Sequence, residues 1–298
     1  MDRELDGVEH RGPGRIRVVT VNVLSSRFAD GPSRLAVIRD ELRRLDPDVV
    51  ALQEVRLAGD TDEAADLLGP AYHLAPHPAV AADGTAAVLA SRWPYSRVHA
   101  RDLDVTPRAR AFTWGGVVVV ELEVPGLGPL LVAHHKPCWQ LDLERERELQ
   151  AVATAELVDG LVRDRPAHAV LLGDLDATPD AASIRFLTGR QSLEGLSVSY
   201  HDAWESAHPS GDGTTFDPVN PLVAAGDMPL VRPRRIDYVL VRGTGHGPTL
   251  RVEGCEHAVT GGGAGGRPVS DHLGVVADLA VPDRPPGTFA GGFAAPHG

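Results

Sequence analysis

The stretch Ala169-Val-Leu-Leu-Gly-Asp174-Leu-Asp176-Ala-Thr-Pro179 is the most informative in the chain. Its apolar run is too short for a helix and is bounded by glycine, which reads as a buried strand. Two carboxylates follow at once, separated by a single leucine. A charge set against buried apolar residues is costly unless something pairs with it. The end of this strand is therefore a place to look for chemistry.

On either side of it, runs of the same kind recur. Residues 16–23, 49–53, 86–90, 116–124, 130–133, 236–241 and 273–279 all read as strands, and a Pro-Gly-Leu-Gly-Pro turn joins the fourth to the fifth. Between the first two, Leu35, Ile38, Leu42 and Leu45 repeat at helical spacing behind Ser33, a candidate N-cap. Asp46-Pro47-Asp48 ends that helix, because proline disfavours helix at the residue before it. A long helix with a charged face is expected from Asp142 to about Leu161. Hairpin-like pairs mixed with helical crossovers do not suit a doubly wound sheet. They fit two packed sheets with helices outside.

The 298 residues, 43% hydrophobic and 23% charged, suffice for one substantial core. Residues 1–14 and 284–298 are rich in glycine, proline and charge and are expected to be disordered, leaving 15–283 as one folded domain. The glycine run 261–266 has no helix pattern after it, so it reads as a flexible surface loop and not a nucleotide-binding fingerprint. No run approaches the roughly 20 apolar residues of a membrane span. The charged N-terminus lacks a signal-like apolar region, so a cytoplasmic protein is expected. Cys138 and Cys255 have neither zinc-site nor disulfide-framework spacing. The net charge of −12 disfavours a nucleic-acid partner, which a basic track would serve. Lys136 is the only lysine in the chain.

Polar residues stand within or at the ends of these strands: Asn22 and Asp237 inside them, Glu54, His134 and His135, and Asp174 and Asp176 after them, and Ser270-Asp271-His272 at the opening of the last. Singly, each has an ordinary explanation as a cap or turn residue. Together they gather carboxylates and an amide, the donor set of a hard, oxygen-seeking cation such as Mg²⁺. Histidines beside them can donate to a phosphate or stabilise developing charge.

The ordered set Asn22, Gln53-Glu54, His135, Gly173-Asp174-Leu-Asp176-Ala-Thr-Pro179, Arg235-Ile-Asp237-Tyr-Val-Leu240 and Ser270-Asp271-His272 resembles the endonuclease/exonuclease/phosphatase superfamily, over about residues 15–281. The resemblance implies a four-layer α/β/β/α sandwich of two mixed sheets, with the site at one end of them. It implies Glu54 as principal metal ligand, Asn22 beside it on metal or phosphate, and Asp271 in support. It implies His135 on the phosphate oxygens, Asp174 orienting or deprotonating the attacking water, and Asp237 holding His272; either Asp174 or the Asp237–His272 pair serves as base. Two positions depart from the family pattern. Asp176 stands where asparagine is usual on the phosphate: it either binds metal more directly or prefers a second cation, or it is a tolerated variant that leaves the phosphate contact and the chemistry unchanged. His134-His135-Lys136 replaces the commoner Thr-His-Leu. Lys136 then either contacts a substrate phosphate or a second anionic group, or points into solvent.

The expected activity is metal-dependent hydrolysis of a phosphate monoester or diester by in-line attack of water, with Mg²⁺ as cofactor and Mn²⁺ or Ca²⁺ as alternatives. A small-molecule phosphoester or a phospholipid head group is the favoured substrate. Sphingomyelinase-like and nuclease activities are the runners-up. A non-catalytic binding protein is disfavoured because Glu54, Asp174 and His272 are all present.

Residues 284–298 hold too little apolar material to offset their ordering entropy. Deleting them should leave the Tm within about 2 °C of the full chain. A drop of about ten degrees in a thermal melt would show that the tail packs on the core.

Overall fold

The computed structural model describes residues 12–111, 114–261 and 266–289. Among these residues, fourteen strands form two mixed sheets. The first contains β1 (Arg15–Asn22), β2 (Val49–Ala58), β3 (Thr61–Asp62), β4 (His73–Pro76), β5 (Thr85–Ser91), β13 (Arg251–Ala258) and β14 (Gly274–Ala280). Its order is β13-β14-β1-β2-β5-β4, with β3 paired to β2. The second contains β6 (Arg97–Asp102), β7 (Gly116–Val124), β8 (Gly128–Lys136), β9 (His168–Asp174), β10 (Tyr200–Asp202), β11 (Asp237–Thr244) and β12 (Gly247–Pro248). Its order is β10-β11-β9-β8-β7-β6, with β12 paired to β11. Each sheet has one parallel pair, β1 with β2 and β8 with β9, and each pair is linked by a crossover helix.

The described residues also contain six α-helices: α1 (Gly31–Leu45), α2 (Glu63–Leu68), α3 (Glu144–Asp164), α4 (Ala182–Leu187), α5 (Ala203–Ala207) and α6 (Pro221–Ala225). Strand alternation divides the apolar residues into three layers. Ile16, Val18, Val49 and Leu89 meet Val120, Val132, Val170 and Val239 between the sheets. On the outer face of the first sheet, Val19 and Leu52 pack on Leu35, Ile38 and Leu42 of α1. On the outer face of the second, Leu171 and Leu240 pack with Ala155 and Val158 of α3 and Ile184 of α4. This is the α/β/β/α sandwich that the sequence implies. Among the described residues, no helix is long and apolar enough to cross a membrane.

Several boundaries differ from the sequence expectation. α1 starts at Gly31 with Pro32 in its first turn, where proline is well tolerated, so Ser33 lies inside the helix and is not its cap. α3 runs from Glu144 to Asp164. β2 does not stop at Glu54 but continues to Ala58. Gly14 is buried and hydrogen-bonded to Pro125 and Val281, so the ordered chain already includes it, while residues 1–11 lie outside the described set. Gly261 is also buried, its N–H donating to Glu41 Oε1 at 2.9 Å, and 262–265 lie outside the described residues. Residues 284, 285 and 287–289 are exposed, 286 is half-buried, and 290–298 are not among the described residues.

The segment after β1 is clamped from below by Arg34 of α1. Its buried guanidinium donates to the carbonyls of Val23, Leu24, Ser25, Phe28, Ala29 and Val269, at 2.8 to 3.0 Å. Leu24, Ala29 and Asp30 in this segment have φ near +50°, a conformation that L-residues adopt only when the surroundings hold them there. The fork of five N–H donors does so. Arg34→Met would leave buried carbonyls unpaired and should cost at least about 3 kcal/mol in urea unfolding. Arg34→Lys, with one compact ammonium, should recover little of it. A loss below about 1 kcal/mol for the methionine variant would show that the segment holds itself.

Candidate active site

Strand parity decides which polar side chains reach the gap between the sheets. In β1, Ile16 and Val18 face the second sheet, so Thr20 and Asn22 share their parity. In β9 and β11, Val170 and Leu172, and Val239 and Val241, put Asp174 and Asp237 on the facing side. These side chains converge at one end of the sandwich, above the apolar layer.

Glu54 has the wrong parity and is brought in by a bulge. Gln53 pairs with Ala87 and Val55 with Ala86, which leaves Glu54 as the extra residue at φ +63°. A bulge bends the strand and re-aims one side chain. Here the carboxylate accepts from Asn22 Nδ2 at 3.0 Å and from the Ser25 N–H at 3.4 Å. The same Asn22 amide donates to Asp174 Oδ2 at 3.1 Å, tying the first sheet to the second. Beneath it, Gln53 Nε2 lies 2.7 Å from His134 Nε2 and donates to Thr20 Oγ1 at 3.1 Å, a buried polar floor.

In β8 the alternation separates three consecutive side chains. His134 faces the gap beside Gln53. His135 faces the other way, with Nδ1 3.0 Å from Thr154 Oγ1 of α3, and it does not line the cleft. Burial pushes its pKa down to about 3, so the ring is neutral. Its expected contact with phosphate oxygens therefore has no geometric support. Lys136 faces the cleft and, at 2% exposure, does not point into solvent. Its Nζ donates to Asp174 Oδ2 at 2.6 Å and to Asp176. Sequence reading singled out this residue without finding its partners; parity with Val132 was the available signal.

Asp176 sits at φ +53° just past β9, with its N–H donated to Asp174 Oδ1 at 3.2 Å. Gly173, at φ +152°, lets β9 pass close to β8. A Cβ there would lie 2.2 Å from the His135 carbonyl oxygen. Arg234, which the sequence did not single out, fastens the loop by donating to the Asp176 carbonyl at 2.6 Å.

Opposite this group, His272 Nδ1 lies 2.9 Å from Asp237 Oδ2. The His272 ring packs on Phe216 at 4.9 Å, and its backbone N–H donates to Ser270 Oγ at 3.2 Å. Ser270 Oγ donates in turn to the Asn22 carbonyl at 2.6 Å, which fixes the loop that carries Asp271. One cleft of about 330 Å³ is lined by Asn22, Glu54, Lys136, Asp174, Asp176, Asp271 and His272. Asp237 is buried behind His272 and does not line it.

Charge in the cleft is unevenly compensated. Burial works against the Lys136 ammonium, but Asp174 and Asp176 outweigh it and hold its pKa above the ordinary value. Around that ammonium the carboxyls separate. For Asp174 the upward push of burial is overcome by Lys136 and His272, down to about 2. Burial and the Asp174 charge raise Asp176 to about 6. Burial lowers the His272 pKa, yet Asp237 and Asp174 raise it far above the usual imidazole value, which favours an imidazolium. Glu54 is raised by burial and by Asp271.

The residues fit a hard cation. Glu54 and Asp271 form no ion pair with a side chain among the described residues. Asp237 Oδ1 is buried with no hydrogen-bond partner among the described residues. Ligand atoms of Asp174, Asp237 and His272 also lie within 4.8 Å of one another, but Lys136 on Asp174 and the Asp237–His272 pair already engage them. Oxygen donors dominate, as Mg²⁺ or Mn²⁺ requires.

If Asp237 acts only through His272, the two should fail as one unit. Asp237→Asn should lower kcat at least about a hundred-fold with little change in KM, and adding it to His272→Ala should cost little more. Rate losses that multiply in the double variant, with a lowered Tm for Asp237→Asn, would assign Asp237 a purely structural role.

The sequence model of the Endonuclease/Exonuclease/phosphatase family matches residues 19–272. Solved structures share the fold at low identity. Truncated Caenorhabditis elegans TDP2 is 16% identical, covering 90% of this chain and 98% of its own, with a TM-score of 0.67. An endonuclease/exonuclease/phosphatase from Bacteroides vulgatus is 18% identical over 90% and 99%, TM-score 0.67. The human Nocturnin catalytic domain with bound sulfate is 19% identical over 92% and 96%, TM-score 0.62. No curated protein matches the sequence. With the family matched from β1 to His272, this chain belongs to the Endonuclease/Exonuclease/phosphatase family of phosphoric ester hydrolases.

Proposed function

We propose that the cleft hydrolyses a phosphate monoester or diester of a small molecule or a phospholipid head group, using a divalent cation and an activated water. One observation carries this reading: the single amide of Asn22 joins Glu54 to Asp174 at the edge of the cleft, and His272, buttressed by Asp237, lines that cleft too. A volume of about 330 Å³ suits a small ligand or a head group.

Glu54, Asn22 and Asp271 would hold the cation, which supplies Lewis-acid polarisation of a phosphoryl oxygen. Imidazolium His272, oriented by Asp237, donates to a phosphoryl oxygen as charge develops on it. Asp174, drawn down to about 2 by its neighbours, is a weak base and serves best as the acceptor that orients the water. Phe216 and the bulk of Lys136 help to keep bulk water from the reacting end.

Single-stranded nucleic acid is the second reading. Phe28, Trp114 and Trp139 line the cleft and offer flat faces on which bases can stack. A Danio rerio TDP2 of the same fold has been solved with a single-strand DNA product.

The test is a panel of bis-p-nitrophenyl phosphate, p-nitrophenyl phosphate, sphingomyelin and single-stranded DNA, each assayed with Mg²⁺, Mn²⁺ and Ca²⁺. Turnover should require the cation, and Glu54→Ala should lose at least about a hundred-fold while remaining folded by circular dichroism. Full turnover in EDTA, or an undiminished Glu54→Ala variant, would falsify the metal role. Preference for DNA over the small esters would favour the second reading.

A further inference from the structure

The cation between Asp174 and Asp176 is supplied by the chain itself. Lys136 is the only lysine among 29 basic residues, all others being arginine. A composition so biased uses arginine wherever a flexible surface cation serves. This one position is buried, at 2% exposure, and its Nζ lies 2.6 Å from Asp174 Oδ2 and in contact with Asp176. Trp114 closes over the ammonium, with its ring centroid 5.3 Å from Nζ. The ammonium presents a compact point charge to both carboxylates, where a guanidinium would present a planar fork. The Glu54 and Asp271 carboxylates, by contrast, have no cationic side chain in contact among the described residues. The cleft thus has one half whose charge is met internally and one half whose charge is not.

We propose that Lys136 is a fixed cation standing where a second divalent ion would otherwise be held, so that the site binds a single divalent ion, on its Glu54–Asp271 side. This rests on the metal-dependent reading of the cleft. Asp176 then serves as the counter-ion of Lys136 and not as a metal ligand, and Lys136 becomes a positioning residue that holds the Asp174 carboxylate in place.

The measurement is Mn²⁺ binding to the purified full chain by calorimetry, with free Mn²⁺ counted by electron paramagnetic resonance. Wild type should take one ion, with no second ion up to millimolar concentration. Glu54→Gln should lose that ion, its affinity falling at least about ten-fold. Lys136→Met, freed of the ammonium, should take two. Two ions on the wild type, one ion retained at wild-type affinity by Glu54→Gln, or a single ion on a folded Lys136→Met would each overturn the proposal. If Lys136→Met does not fold, the first two results still decide it. Absence of turnover on every phosphoester with one Mn²⁺ still bound would contradict the proposed activity alone. Absence of any bound ion would contradict both.

Discussion

Five carboxylates, those of Glu54, Asp174, Asp176, Asp237 and Asp271, are gathered at one end of two packed sheets, and the rest of the site answers to that crowding. Two like charges about 4 Å apart repel by roughly 4 kcal/mol at an effective dielectric of about 20. Burial adds a desolvation cost for each charge. Lys136 meets Asp174 and Asp176, His272 meets Asp237, and the Asn22 amide spans Glu54 and Asp174. Glu54 and Asp271 are left with each other's charge and no cation in contact among the described residues, which is the electrostatic invitation to a divalent ion.

The backbone is bent to build this arrangement. Glu54 and Asp176 both lie at positive φ without being glycine, one on a bulge and one just past a strand end. Such conformations persist where surrounding contacts over-determine them, and they cluster at functional sites. Arg34 supports the site from further back, gripping the segment between Asn22 and α1. Gly173 permits the close approach of β9 to β8 that sets Asp174 beside Lys136. The strain is local, and the apolar layers on either side of each sheet carry its cost.

Much of the fold was legible in the chain because the central strands are β-branched and apolar: β1, β2, β7, β9, β11 and β14 stand out from their flanks. The edge strands did not. β6 reads Arg-Val-His-Ala-Arg-Asp and lies mostly exposed, and β10 has three residues, so neither gives an apolar signal. Glu54 looked like a strand end because a charge closed the apolar run, whereas the strand bulges there and continues. Among the site residues, Asn22, Glu54, Asp174, Asp176, Asp271 and His272 line one cleft, and Asp237 backs it. His135 shows where a motif is weaker than parity: it is two positions from Ala133, which faces α3, and so it faces α3 as well. Lys136 and Arg34 belong to a class that a single sequence hides. A buried cation is recognised by its partners, and those lie 38 and 40 residues from Lys136, and up to 235 from Arg34.

A divalent ion and a phosphoryl group should sit together in this cleft. Anomalous diffraction from crystals soaked in Mn²⁺ and inorganic phosphate would locate both. The expected result is an anomalous peak within coordination distance of Glu54, with phosphate oxygens beside it facing His272. A peak elsewhere in the molecule, or phosphate density on a different surface with the cleft left to water, would contradict it.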